Sequence, residues 1–365
     1  MRKSKYDKIF LGIVILLSVL GLFIFSSASL GIISEGQDSL IKVLSKQILI
    51  GLVLGWLALI FFFRFDYKKL EKYSPGFFIF SIILTLLVFI PGLGMEVGGS
   101  KRWIDLGSLT FQPAEILKLG FVIFFAHWLS SNKEKIGNLK SGVLPTVAFI
   151  SIPVLILLKQ PDTGTSLSII SAGMAMFVIA GGKWKHFVLI CILAISAVAG
   201  MAYMKPYILQ RITTFIDPSQ DPLGAGYQVR QSLIAIGSGK LTGRGFGQSI
   251  QKFNFLPEPI GDSIFAVAAE EFGFIGSSII ILIFLAFLLR GLRISSRTPD
   301  SFGRLLASGI VILIASQSFI NMGAMLGILP LTGVPLLFVS QGGTAQLFAL
   351  LEVGIVLNVS KHANI

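Results

Sequence analysis

The sequence predicts an all-α integral membrane protein with ten transmembrane helices, and three observations support this fold class. Hydrophobic residues make up 54% of the 365 residues, and the mean hydropathy is +0.84. Only 13% of the residues are charged, about half the share that soluble globular proteins carry. Apolar runs long enough to cross roughly 30 Å of hydrocarbon recur from one end of the chain to the other.

Each of these runs is predicted to be one membrane-spanning helix. No soluble domain interrupts them, so residues 1–365 are expected to form a single polytopic membrane domain. The first run follows the basic segment MRKSKYDK and is interpreted as an uncleaved helix. The longest connection, residues 205–262, is predicted to be a large extracytoplasmic loop between helices 7 and 8. The predicted spans are residues 9–28, 46–63, 76–93, 112–130, 143–159, 164–182, 186–204, 263–289, 305–327 and 333–358.

The distribution of basic residues predicts the orientation of these helices. If the N-terminus is cytoplasmic, eighteen of the 30 Lys and Arg residues fall in cytoplasmic segments and eleven fall outside. Cytoplasmic loops of membrane proteins are enriched in Lys and Arg. Both termini are therefore predicted to be cytoplasmic.

Six of the outer basic residues lie in the large loop, which leaves two interpretations open. Long loops are translocated largely regardless of their charge, so these residues need no further explanation. Alternatively, they bind an anionic ligand at the outer membrane face. Nucleic acid is excluded as a partner despite the net charge of +12, because the basic residues form no contiguous stripe. The single cysteine and the three scattered histidines give no disulfide framework and no metal-ligand spacing.

Two charged pairs occur where the fourth span begins. Lys101 and Arg102 precede Trp103, and an Arg fork beside an ammonium group suits the grip of a diphosphate. The alternative is an interfacial anchor. Glu115 and Lys118 lie three residues apart and share a helix face. They form either a neutralised structural pair or part of a substrate site, and the two roles are compatible.

Further along the chain, polar residues interrupt the apolar sequence at three places. Asp162 is expected to cap the helix that follows it, or else to line a cavity. Arg230 and Arg244 lie in a glycine-rich part of the large loop and are candidates for binding a diphosphate. The segment 321–347 is broken by proline and glycine, and non-helical backbone at this depth must be buried or line a cavity. It is therefore a candidate wall of an outward-facing pocket.

The stretch LPEPIGDSIFAVAAEEFGFIG, residues 256–276, places Asp262, Glu270 and Glu271 where the eighth span begins. Asp262 has three possible roles: a helix N-cap, a ligand of a divalent cation shared with substrate phosphates, or a general base. The local sequence does not rank these roles. Glu270 and Glu271 lie two turns further along, and at least one of them is expected to face the interior of the helix bundle.

These segments together resemble the SEDS family (shape, elongation, division and sporulation), whose members are called RodA, FtsW and SpoVE. The matching blocks are GSKRWIDLG…QPAEILKL, QPDTGTSL, GYQVRQSLIAIGSGKLTGRGFG, LPEPIGDSIFAVAAEEFGFIG and LPLTGVPLLFVSQGG. They occur in the family's order and cover nearly the whole chain. The block around Asp262 looks slightly closer to FtsW than to RodA.

The resemblance implies a peptidoglycan glycosyltransferase of the bacterial inner membrane that polymerises lipid II at the extracytoplasmic side. It implies an inverting reaction, a class B penicillin-binding protein as partner, and other membrane proteins of the divisome or elongasome. The family's essential carboxylate matches Asp262, its acid–base pair matches Glu115 and Lys118, and its basic position matches Arg102. The last block adds Ser340 as a candidate substrate-binding residue. The sequence departs from the family at Ile260-Gly261, where His-Thr is usual, and at Gln341, where Tyr is usual.

The combined hypothesis assigns Asp262 as the base, or as the holder of a Mg²⁺ or Mn²⁺ ion that assists the leaving group. Lys101, Arg102 and either Arg230 or Arg244 would stabilise the diphosphate, and no nucleotide is expected. Two other functions stay open at this point. A lipid II flippase would need polar residues near the bilayer midplane, and a non-catalytic scaffold for the transpeptidase would not need Asp262.

Overall fold

A computed structural model describes the fold of most of the chain. The described residues are 6–35, 37–97, 100–105, 107, 110–204, 206–217, 221 and 224–364. The α-helices among them are α1 (Lys8–Ser29), α2 (Gln37–Lys46), α3 (Gly55–Arg64), α4 (Lys68–Leu86), α5 (Pro113–Ser131), α6 (Leu144–Lys159), α7 (Thr163–Ile179), α8 (Trp184–Met204), α9 (Pro206–Ile216), α10 (Ala225–Ser238), α11 (Ile264–Arg297), α12 (Ser301–Met325) and α13 (Gly343–Ser360).

Eight helical stretches in the described part are long and apolar enough to cross a membrane. Two further predicted spans correspond to shorter apolar helices, Thr163–Ile179 and Trp184–Ala194. The protein is thus a predominantly helical, multi-pass membrane protein. The predicted count of ten spans remains a prediction.

Irregular helical turns adjoin several of the α-helices. A π-helical stretch, Gln47–Leu54, joins α2 to α3, and another, Leu139–Val143, precedes α6. Short 3-10 turns follow α1 at Leu30–Glu35, α4 at Leu87–Phe89 and α5 at Lys133–Lys135. These irregular turns occur at the ends of helices, as is typical of such geometry.

The last two helices form the centre of the bundle. In the most apolar 18-residue stretch of each helix, 83% of the residues of α12 and 78% of those of α13 are buried. The corresponding share is 39% or less in α1, α4, α6 and α11. A helix that is apolar all round and buried belongs to a core, whereas one with an exposed apolar face suits contact with lipid. The peripheral helices therefore present their apolar side chains to the surroundings of the bundle.

A small sheet corrects the prediction of a purely helical protein. Strands β1 (Gly94–Val97), β2 (Ser100–Asp105) and β3 (Thr110–Phe111) form an antiparallel sheet in the order β1-β2-β3. Met95 faces Trp103, and Ile104 faces Phe111. The residues here are too few and too polar for a helix to cross the membrane, and the sheet holds Lys101 and Arg102 next to the start of α5.

The tenth predicted span also needs correction. Residues 333–342 are not helical, and α13 begins only at Gly343. Pro335 lacks a backbone donor and Gly333 has a positive φ of 71°, so neither residue favours continuation of a helix. The non-helical backbone instead packs inside the bundle, as expected for a pocket wall: Val334, Leu336 and Val339 are buried.

Both termini lie at one end of the bundle. The backbone N–H of Asp7 donates to Ser360 Oγ at 3.1 Å, and Arg290 forms a 2.9 Å ion pair with Asp7. The Tyr67 hydroxyl donates to Asp300 at 2.5 Å at the same end. Asp262, Arg102 and the loop from residue 331 to 342 lie together at the opposite end, as the following contacts establish.

Candidate active site

Strand β2 positions Arg102 through two backbone carbonyls. Its Nε donates to the carbonyl of Gln160 at 3.1 Å, and its Nη2 donates to the carbonyl of Pro161. These carbonyls lie in the turn between α6 and α7, so the sheet is held against that turn. Lys101 is exposed, because neighbouring side chains on a strand point to opposite faces. Arg102 is therefore the better placed of the two predicted cations.

The turn that carries Asp262 is fixed by two side chains. Asn321 on α12 donates from Nδ2 to the carbonyls of Asp262 and Val334, both at 2.8 Å. Ser340 donates to the carbonyl of Gly261 at 2.8 Å and accepts from the N–H of Leu336 at 2.9 Å. Ser340 thus ties two loops together. Its predicted role in binding substrate stays a prediction, and the contacts seen here are with the chain's own backbone.

The Asp262 carboxylate lies close to the guanidinium of Arg102, on either side of Gly333. A β-carbon built on Gly333 would be 3.4 Å from Asp262 Oδ2 and 4.0 Å from Arg102 Nη1. Ser263, rather than Asp262, occupies the N-cap position of α11. None of the described groups donates a hydrogen bond to the Asp262 carboxylate. The N-cap role considered for Asp262 is therefore wrong, and the carboxylate is available for chemistry.

The pKa of Asp262 is raised to about 6, mainly by burial and in addition by the negative charge of Glu258. Arg102 and Arg211 lower it, and Asp162 adds a small rise. The carboxylate lies among protein atoms but keeps part of its surface accessible. A carboxylate with a pKa near 6 is still mostly ionised at pH 7, which suits a general base.

Arg211 on α9 is a cation of this site that sequence reasoning missed. Its Nη1 donates to Thr163 Oγ1 at 2.6 Å and to the carbonyl of Leu331 at 3.1 Å. The prediction favoured Arg230 and Arg244 in the same loop instead. The sequence feature that could have pointed to Arg211 is a short amphipathic helix that begins right after the seventh predicted span. Asp162 is confirmed as a helix cap, since its Oδ1 accepts from the N–H of Thr165 at 3.1 Å.

An apolar cavity of about 320 Å³ opens beside Arg211. Its walls come from α6, α7 and α8, and its upper end is formed by Arg211, Thr163 and Thr332. The Thr332 hydroxyl is buried and has no partner among the described residues. The cavity therefore combines a long apolar body with a polar, cationic end. The apolar wall residues are Val147, Ile150, Val154, Leu158, Leu167, Ile170, Met174, Ile190, Leu193 and Ala194.

The predicted pair of Glu115 and Lys118 is formed and buried. Lys118 Nζ lies 2.9 Å from Glu115 Oε2 and donates to Gln317 Oε1 at 2.7 Å. Glu352 on α13 is a further buried acid near this pair that sequence reasoning missed. Gln317 and Asn321 lie one turn apart on α12, so the buried pair and the Asp262 turn are held by the same helix face. In the sequence, the pattern that indicates this link is a pair of amide side chains four residues apart within an apolar span.

Glu270 and Glu271 are both buried, which confirms the expectation for at least one of them. Glu271 pairs with the buried Lys252 at 2.8 Å and accepts from Ser27 on α1 at 2.6 Å. Glu270 accepts from Ser249 Oγ at 2.6 Å and from the N–H groups of Ile250 and Gln251, both at 3.2 Å. The two acids therefore hold residues 239–256, here called the anchored segment, against α11.

The anchored segment also explains the surroundings of Arg244. Arg244 Nε lies 3.2 Å from Glu270 Oε1, so its recorded partner is this acid rather than Asp262. Arg230 is exposed on α10. The structure brings Asp262 and Arg102 together, adds Arg211, and places neither Arg230 nor Arg244 among the charges that act on Asp262. Their role in binding substrate stays a prediction.

The expected divalent cation at Asp262 also stays a prediction. Across the described ranges, no group of three or more His, Cys, Asp or Glu side chains could hold a metal ion. A cation at this place would have to take most of its ligands from phosphate oxygens and water.

The sequence matches known proteins along nearly its full length. A family model for FtsW, RodA and SpoVE, described as cell cycle protein, matches residues 7–365. Stage V sporulation protein E of Bacillus subtilis (strain 168) is 38% identical over 99% of both chains. The probable peptidoglycan glycosyltransferase FtsW of Geobacter sp. (strain M18) is 35% identical over 98% of both chains.

Solved structures share the fold. One is a chain of the structure described as "Structural coordination of polymerization and crosslinking by a peptidoglycan synthase complex". It superposes with a TM-score of 0.80 at 26% identity and covers 97% of each chain. The rod shape determining protein RodA of Thermus thermophilus gives a TM-score of 0.71 at 25% identity, over 99% of this chain and 98% of its own.

Proposed function

The chain belongs to the FtsW, RodA and SpoVE family of membrane proteins, and from this premise we propose that it polymerises lipid II into glycan strands. It is a peptidoglycan glycosyltransferase, as its curated relatives are named. The reaction takes place at the outer face of the bacterial inner membrane, with both termini in the cytoplasm. A class B penicillin-binding protein is the proposed partner, in keeping with the peptidoglycan synthase complex that shares the fold.

One observation carries this proposal: the accessible carboxylate of Asp262, to which none of the described residues donates a hydrogen bond, lies beside Arg102 at the end of the bundle opposite the termini. The apolar cavity with Arg211 at its polar end lies at the same end of the bundle. A lipid substrate with a diphosphate headgroup has matching chemistry. Its chain would lie along the apolar walls, and its phosphates would lie at the cations.

The proposed reaction is a single displacement at C1 of the donor sugar. Asp262 takes the proton from the 4-hydroxyl of the acceptor sugar, and the hydroxyl oxygen forms a bond with C1. The bond between C1 and the diphosphate oxygen breaks, and its electron pair leaves with the undecaprenyl diphosphate. Arg102 and Arg211 stabilise the negative charge that develops on that oxygen. One attack from the opposite face inverts C1, so an α-linked donor gives a β-linked product.

The buried pair of Glu115 and Lys118 has a supporting role in this proposal. Lys118 binds Gln317, and Gln317 lies one turn from Asn321, which holds the Asp262 turn. The pair therefore fixes α5 to α12 beneath the reaction site. Neither residue has a described contact with Asp262, so both act by positioning.

The test is polymerisation of labelled lipid II by the purified full-length protein, with products resolved as a glycan ladder. We expect wild-type protein to give a ladder and Asp262→Ala to lose activity by about 10²–10⁴-fold, the usual contribution of a positioned acid–base group. Asp300→Asn serves as the control, because Asp300 also caps a helix, accepting from the N–H of Gly303 at 2.7 Å, but lies at the opposite end of the bundle. Movement of lipid II between leaflets without a ladder would show a flippase, and neither activity would show a scaffold.

A further inference from the structure

Glu258 is an acid near Asp262 to which neither the sequence analysis nor the reaction above assigns a role. It lies four residues before Asp262, in the turn that leads into α11. Its side chain is exposed, and no described residue forms a hydrogen bond or an ion pair with its carboxylate. The carboxylate folds back over Gly261, because Oε2 lies 3.1 Å from where a β-carbon on Gly261 would stand.

This position depends on the absence of a side chain at Gly261. A contact of 3.1 Å is tighter than an added β-carbon would normally make, so a side chain at Gly261 would displace the carboxylate. The space over Gly261, next to Asp262, is therefore filled by the carboxylate of Glu258.

The backbone of the turn holds Glu258 in this place. Its carbonyl accepts hydrogen bonds from the N–H groups of Gly261 and Ser263, both at 3.1 Å. Glu258 itself has a φ of 49°, a left-handed conformation that is strained for a residue with a side chain. Backbone strain of this kind concentrates at functional sites. The turn thus keeps a strained acid next to the reacting carboxylate.

Both positive and negative side chains act on Asp262, and they come from different residues of the site. Arg102 and Arg211 act on it as cations, while Glu258 is the strongest anion that acts on it. A diphosphate is attracted by the two arginines and repelled by Glu258. Sugar hydroxyls, in contrast, are neutral donors that a carboxylate accepts well. The two substrates that meet at Asp262 differ in the same way, since the leaving group is anionic and the acceptor sugar is neutral.

We propose that Glu258 binds the acceptor sugar, accepting hydrogen bonds from its hydroxyl groups beside the one that Asp262 deprotonates. This inference rests on the proposed glycosyltransferase function and deepens it. It assigns the acceptor to the Glu258 side of Asp262 and the donor diphosphate to the arginine side. Gly261 is the residue that makes room for this contact.

The first test measures the kinetics of lipid II polymerisation by Glu258→Gln, which keeps the shape of the side chain. A hydrogen bond to a charged acceptor is worth about tenfold or more in binding. We therefore expect KM for lipid II to rise about tenfold while kcat changes little. The acid limb of the pH profile should also move to lower pH, because removal of the negative charge lowers the pKa of Asp262. A defect in folding alone would move neither quantity in this way.

A second variant keeps Glu258 but displaces its carboxylate. Gly261→Ala puts a methyl group against the Glu258 carboxylate, and we expect KM to rise as in Glu258→Gln. Glu134→Gln is the control, since Glu134 is an exposed acid in the turn after α5. Wild-type KM and an unshifted pH profile in Glu258→Gln would overturn the inference while polymerisation by the wild type upheld the enzyme. Absence of a ladder from the wild type would instead overturn the proposed function.

Discussion

The surroundings of Asp262 raise the pKa of its carboxyl group above that of an aspartate in water. Burial and Glu258 raise its pKa to about 6, and the two arginines prevent a larger rise. A base works only in its ionised form, so activity should be present above this pKa and be lost below it. We expect the rate of glycan synthesis to fall about tenfold for each pH unit below 6.

The measurement is kcat/KM for lipid II from pH 4.5 to 8 in detergent, with thermal unfolding followed at each pH as a control for stability. Arg102→Gln removes a cation that lowers the pKa of Asp262, so its acid limb should move to higher pH. A profile that is flat through pH 6 in a folded protein would rule out Asp262 as the base.

Gly333 separates the Asp262 carboxylate from Arg102, and its backbone requires glycine. Its φ is 71°, and an added methyl group would lie 3.4 Å from Asp262 Oδ2. That distance is an ordinary contact, so the strain comes from the positive φ. We expect Gly333→Ala to lower activity about a hundredfold, because relief of this strain would shift the loop between Asp262 and Arg102, and small displacements of reacting groups cost that much. Gly181→Ala is the matched control, since Gly181 has a φ of 102° but no atoms within 4 Å of the added carbon. Similar losses of glycan synthesis in both variants would contradict this account.

Single residues of the site differ in how far the sequence predicts them. Asp262 and Arg102 stand out because charges near an apolar span are costly and need a reason. Arg211 and Glu258 do not stand out, because their roles depend on loops that approach from distant parts of the chain. Glu352 is a charged residue within the last predicted span, so the same criterion applied to that span would find it. Gln317 and Asn321 are uncharged, so a search for charges in apolar spans does not find them.

At the scale of elements, α11 shows how a loop becomes part of the bundle. The helix is interrupted at Gly273, where φ is 66° and ψ is −166°, a conformation restricted to glycine. The N–H groups of Phe274 and Ile275 donate to the carbonyls of Lys240 and Leu241, at 2.8 and 3.1 Å. The anchored segment thus replaces the helical partners that the break removes. The sequence predicts one continuous span here, because hydropathy does not reveal which glycine adopts a positive φ.

The ion pair between Lys252 and Glu271 is the second link between the anchored segment and α11. Both side chains are almost fully buried, at 0% and 1% exposure. Removal of one partner leaves a buried charge unpaired, which costs about 3–5 kcal/mol. We expect Lys252→Met to lower the stability of the purified protein by about 3 kcal/mol, and Lys252→Met with Glu271→Leu to recover most of this loss.

Thermal unfolding of the single and double variants in detergent measures this coupling as a double-mutant cycle. Lys240→Met is the control, because Lys240 belongs to the same segment but is exposed. Additive losses in the double variant would mean that the two charges do not stabilise each other.

At the scale of the molecule, the end of the bundle that carries both termini is distinct from the end that carries the proposed site. Asp7, Arg290 and Ser360 join α1, α11 and α13 at the end where both termini lie. The site lies at the other end, where a strand, two turns and the loop before α13 meet. The sequence predicts this division from the distribution of Lys and Arg, since eighteen of them lie on the side of the termini. It does not predict the meeting of those loops, because each is short and without helical or strand periodicity.

The division into two ends gives a prediction about orientation in the membrane. In a Cys191→Ser background, which removes the only native cysteine, a new cysteine at Lys240 would lie in the anchored segment. One at His362 would lie beside the C-terminal end of α13. Because basic residues favour the cytoplasm, a membrane-impermeant maleimide should label the Lys240→Cys protein in intact spheroplasts and the His362→Cys protein only after lysis. Both positions should react equally in detergent, which controls for local burial. The reverse pattern would place Asp262 in the cytoplasm, away from any substrate polymerised outside the membrane, and the proposed reaction would then have no site.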